Sequence, residues 1–224
     1  MNNEQNKKTP RIFWSQTKTD GSTVLVEGNF EDKLQFAAQL CRQKRFEEGI
    51  YLLKILERIR PNDPAVLEGL AHILVASDQA VPALHFAERL RQLKPDLAIS
   101  SALMGLACEQ LGRNSEALQA LDSALAAKFT NLESFKVVIV LAIKLNQRFS
   151  EVEKLARRIL EREPDDQFAW LTLGHIFRSQ GKTNQALDAF KRVIKLDPNS
   201  PQGQQALEFL LEINGGTPSD WSRN

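Results

Sequence analysis

The feature that most limits what this chain can become is internal repetition: two helical runs, a break between them and a loop recur about every 34 residues. The clearest copy, Gln167 to Ser200, reads QFAWLTLGHIFRSQGKTNQALDAFKRVIKLDPNS. Its apolar residues fall at helical intervals, Gly181-Lys182 interrupts them, a second helical run follows, and Asp197-Pro198 stops it. The copy predicts a helix, a tight turn, a second helix and a loop. A pair of helices this short cannot bury its apolar face alone, so the copies must stack on one another.

Stepping along the chain by this period gives five copies, 30–63, 64–97, 98–131, 133–166 and 167–200. The copy at 98–131 keeps small residues at Gly105, Ala117 and Ala124 but ends without proline at Lys128-Phe129, and Leu132 is one residue too many. That junction is expected to be irregular. The copy at 133–166 ends at Glu163-Pro164 and carries Val140 and Val152 where small residues stand elsewhere. A last helical run, 202–213, with Ala206, Leu207, Leu210 and Leu211, is expected to cap the stack, and 214–224 to form a flexible tail. The first 29 residues differ in kind: Arg11 to Ser15 and Ser22 to Val26 are rich in aromatic and β-branched residues and flank Asp20-Gly21. They predict a short hairpin or extended arm, the other reading being a polar leader.

In the clearest copy Trp170, Leu173, Gly174, Phe177, Gly181, Ala186, Phe190 and Pro198 stand in the order and spacing of the tetratricopeptide repeat, and only Val193 departs. The chain resembles that family. The resemblance implies an all-α fold, a right-handed superhelix of tandem helix-turn-helix repeats with a concave groove. In that family the second, fifth, ninth and twelfth positions of a repeat commonly face a bound peptide. Carried over, the groove residues are Leu34, Ala38 and Cys41; Glu68, His72 and Val75; Ala102, Leu106 and Glu109; Val137, Leu141 and Lys144; and Leu171, His175 and Arg178. Members that clamp a terminal carboxylate use Lys and Asn where Leu34 and Ala38 stand here, which argues against such a clamp.

The run Ser134 to Leu145 has only Lys136 and Lys144 as charged residues, so it needs cover on nearly every face. Either Val137 and Leu141 face the groove, to be covered by a partner, a second copy or the N-terminal arm, or the curvature of the array buries them.

Catalytic chemistry is not expected. His72 and His175 occupy one repeat position but lie three repeats apart, and His85 stands alone. No phosphate loop, His-Glu-x-x-His or Gly-x-Ser-x-Gly is present. Cys41 and Cys108 show no zinc or disulfide spacing and read as reduced packing residues, so no metal or cofactor is expected. With 29 Lys and Arg against 28 Asp and Glu there is no field to draw nucleic acid. No run approaches the roughly 20 apolar residues that cross a bilayer, so membrane insertion is not expected. No secretory leader is seen, and a cytoplasmic location is the expectation.

What remains is protein binding. One reading is a scaffold, adaptor or chaperone that cradles an apolar or amphipathic segment, similar in groove character to the tetratricopeptide chaperones of bacterial secretion systems. The other is a self-associating subunit of a larger complex, such as a secretion or envelope-associated assembly.

Overall fold

The computed structural model describes residues 12–17 and 23–214, which form eleven helices and one antiparallel pair of strands. Strand β1 (Ile12–Thr17) pairs with β2 (Thr23–Gly28), Trp14 opposite Val26. Five helix pairs follow: α1 (Phe30–Arg42) with α2 (Phe46–Ile59), α3 (Pro64–Ala76) with α4 (Ala80–Leu93), α5 (Ala98–Gln110) with α6 (Asn114–Ala126), α7 (Leu132–Lys144) with α8 (Phe149–Arg162), and α9 (Gln167–Ser179) with α10 (Thr183–Leu196). Helix α11 (Pro201–Asn214) closes the series. The expected tail beyond Asn214 and the start of the arm, Met1 to Arg11, lie outside the described residues.

Local chemistry explains where the helices begin and turn. Asn29 and Asp32 form a reciprocal capping box at α1, Asp63 accepts from the Ala65 and Val66 amides with Pro64 in the first turn of α3, and Asp166 accepts from Ala169 N at 2.7 Å to start α9. In each pair the first helix ends at a residue in the left-handed region: Lys44, Asp78, Gly112, Asn146 and Gly181. Glycine meets that demand without strain at two of the five turns.

The two helices of a pair touch through small residues. At Gly174 an added Cβ would collide with the Phe190 ring, so only glycine allows α9 and α10 their separation. The same face holds Ala71 and Ala83 between α3 and α4, both fully buried. In the fourth pair the corresponding residues are Ile139 and Val152, also fully buried, and these branched side chains hold α7 and α8 further apart.

The fourth pair also carries the extra residue of the array, in a different place from that expected. Helices α5 and α6 start at 98 and 114, whereas α7 and α8 start at 132 and 149. Leu132 is therefore the first residue of its helix, in register with Ala98, and the additional residue lies in the turn Leu145 to Arg148. That turn alone has two left-handed residues, Asn146 and Arg148, among the described residues. A longer connection suits a wider pair. The junction before α7 is irregular as well, since Lys128 N donates to Asp96 O at 2.8 Å and Ala98 N donates to Lys128 O at 3.0 Å, tying the two inter-repeat loops together.

Apolar burial runs unbroken from Phe30 to Leu210. Helix α7 leans on α5, where Leu141 fills the notch at Gly105, and stands away from α9. This asymmetry opens a cleft between α7 and α9 on the side lined by the first helices of the pairs.

Candidate functional site

The odd-numbered helices α3, α5, α7 and α9 line a groove of about 440 Å³. Its apolar surface comes from Val75, Leu106, Val137, Val140 and Phe168, and its rim from His72, Asp78, Gln110, Glu133, Lys136 and Lys144. Most rim groups are already tied to another helix. Lys144 pairs with Glu109 at 3.0 Å, Lys136 with Asp166 at 2.5 Å, and His72 Nε2 lies 3.8 Å from Glu133. The Gln110 amide donates to Val75 O at 2.8 Å and to Asp78 at 3.1 Å, while its oxygen is enclosed without a donor. These bonds link neighbouring repeats and leave both groove lysines paired around an apolar floor.

A second, smaller hollow of about 230 Å³ continues past Phe168 between α7, α9 and α11, with Ile143, Leu171, Thr172, His175 and Gln205 on its walls.

The residues carried over from the family pattern fall into three groups. Val75, Leu106, Val137, His72 and Lys144 line the main groove, and Glu109 joins its rim through Lys144. Leu34, Ala38, Cys41 and Glu68 lie on α1 and α3, with Ala38 exposed and the other three half-buried. Burial first, and then the Glu133 carboxylate, push both the Cys41 thiol and the Glu68 carboxyl above their ordinary ranges. The remaining five are covered to different degrees. Ala102 and Leu141 are 0% exposed and sit beneath the surface. Leu171, His175 and Arg178 face α11: the His175 and Phe209 rings meet edge-on at 4.5 Å, and Arg178 lies over Phe209 while bonding Glu212 at 2.7 Å. Burial, helped by Arg178, holds His175 below the usual histidine range.

The groove is also lined by Lys136, Val140 and Phe168, and by Ala76, Asp78, Gln110 and Glu133, none of which is among the residues carried over from the family pattern. The first two are the fifth and ninth residues of α7 once the helix is counted from Leu132. The signal was Asn131, whose side chain accepts from Ser134 N at 2.8 Å and marks the helix start. Phe168 is the second residue of α9, at a position the family pattern names.

Among the described residues no cluster of three or more His, Cys, Asp or Glu could hold a metal, and no helix is long and apolar enough to cross a membrane.

Stacked helix pairs of constant length with small residues at their crossing define a helical-repeat protein. The family model described as tetratricopeptide repeat matches residues 168–200. A human relative, tetratricopeptide repeat protein 33, is 29% identical over 143 residues, covering 62% of this chain and 53% of its own length, so the match spans about half of that protein. A thermophilic tetratricopeptide protein from Thermus thermophilus superposes with a TM-score of 0.67 at 18% identity, over 81% of this chain and 99% of that one. YrrB, described as a tetratricopeptide protein with an unusual peptide-binding site, gives 0.50 at 14% identity, over 79% and 90%. Residues 168–200 thus match a tetratricopeptide repeat, and the chain is similar in fold to proteins built from that repeat.

Proposed function

We propose that this protein is an interaction scaffold that holds an apolar, uncharged segment of another polypeptide in the groove across α3, α5, α7 and α9. The observation that carries the reading is the pairing of the groove's lysines with acids of neighbouring repeats, Lys144 with Glu109 and Lys136 with Asp166, around Val75, Leu106, Val140 and Phe168. Such a floor attracts apolar side chains at about 1.5–3 kcal/mol for each one fully buried. An acidic segment gains no free counter-charge there, since Lys136 and Lys144 are both paired, and loses its hydration. The peptide-binding site in the description of YrrB is consistent with this use of the fold. Capture of a partner from the native cell, repeated with Val140→Glu, tests the reading: the partner recovered by the parent chain should be lost.

A second reading, self-association, draws on Tyr51 and Val81, which are 68% and 69% exposed on α2 and α4, away from the groove helices. Sedimentation of the pure protein with and without Tyr51→Ser separates it from the first.

A further inference from the structure

Lys33 lies in α1, the first helix of the array, yet it is 0% exposed. The equivalent residues of later repeats, Leu67 in α3 and Ser101 in α5, are also enclosed, but their helices rest on the second helix of the preceding pair. Helix α1 has no such predecessor. Neither Lys33 nor Phe36, one turn further on, is without a partner. A lysine so enclosed must have its ammonium group met by acceptors, because an unpaired buried charge is strongly unfavourable.

The chain directly before α1 is the hairpin. Strand β2 ends at Gly28, and the single residue Asn29 then caps α1, with its side chain accepting from Asp32 N at 2.8 Å and its own amide donating to Asp32. A connection this short keeps Gly28, the end of β2, next to the first turn of α1, close to Lys33 in sequence. The ladder register puts Ile12, Trp14, Val24 and Val26 on a shared face. A two-stranded hairpin is at best marginally stable by itself and needs such a face covered.

We propose that the hairpin β1–β2 packs on the outer side of α1, encloses Lys33 and occupies the place that a preceding second helix holds in the later repeats. The array is then capped by strands at one end and by α11 at the other, and the groove stays open to a partner.

The test labels the lysines of the full chain with an amine-acylating reagent and reads each site by peptide mass spectrometry, the exposed Lys54 of α2 serving as the internal reference. Lys33 should react far more slowly than Lys54. In the full-length Trp14→Glu/Val26→Glu variant its rate should rise by roughly tenfold or more, since an enclosed group is labelled through its opened fraction. Equal reactivity of Lys33 and Lys54 in the parent chain, or an unreactive Lys33 in a variant of unchanged helicity, overturns the proposal. A photo-crosslinking phenylalanine analogue in place of Trp14 keeps the test decisive if that variant fails to fold. Crosslinks to peptides of α1 or α2 within the same chain support the cap. Crosslinks to α5 or α9, crosslinks to a second copy, or none at all contradict it.

Discussion

Leu141 of α7 occupies the space that a Cβ on Gly105 of α5 would need, with the Ala120 methyl of α6 closing the other side. This contact draws α7 toward α5 and away from α9, and so shapes the groove. It also decides what two neighbouring residues of α7 can do: Leu141 is 0% exposed, whereas Val140 is half-buried on the groove wall.

The contact is measurable by a double-mutant cycle. Leu141→Ala should cost about 2–5 kcal/mol of unfolding free energy for the cavity it leaves. Gly105→Ala should cost about 1–3 kcal/mol through overpacking. The double variant should lose less than the sum by about 0.5–3 kcal/mol, because truncating the Leu141 side chain vacates the space the new methyl needs. Additive losses in urea titrations would show that the two residues do not share the space.

Lys44 has φ 58° at the turn position where Gly112 and Gly181 have 73° and 71°. Lys44→Gly should relieve left-handed strain of about 1–2 kcal/mol, offset in part by the greater entropy glycine loses on folding, for a net gain of up to about 1 kcal/mol. Thermal unfolding should shift upward by about 2–4 °C for each such kcal/mol. A lower midpoint would contradict the strain argument.

Burial, reinforced by Glu133, raises the Glu68 carboxyl in the folded protein above its usual range, while the unfolded chain ionises it at the ordinary value. Between those two pKa values the folded state binds more protons, so stability falls as pH rises through the window and stays lower above it. Glu68→Gln should therefore be more stable than the parent at neutral pH, with the advantage vanishing below the ordinary carboxylate range. An advantage that persists unchanged into acid would assign the effect to something other than ionisation.

The repeat was legible because helix pairs of nearly constant length leave their period in the sequence, down to Gly174 facing Phe190. The place of the extra residue was not. Both Leu132 and the turn Leu145 to Arg148 could absorb it in an apolar run with no proline to mark the boundary, and the Asn131 cap went unused. That one-residue offset brings Lys136 and Val140 to the groove beside Val137 and Lys144, puts Ile143 in the adjoining hollow, and leaves Leu141 beneath the surface. The covering of His175 and Arg178 by Phe209 and Glu212 depends on how α11 docks, which periodicity does not encode.

The measurement that bears most directly on the central claim compares three full-length variants, each first shown to be folded or not by circular dichroism, for capture of the native partner. Val140→Glu should fold and lose the partner by well over about tenfold, since it places a charge against an apolar segment in a groove whose lysines are already paired. Leu141→Glu should fail to fold, because its site beside Gly105 admits no water. Tyr51→Glu, 68% exposed on α2, should fold and bind as the parent does. Undiminished capture by folded Val140→Glu, or loss of the partner with Tyr51→Glu, would contradict the assignment of binding to this groove.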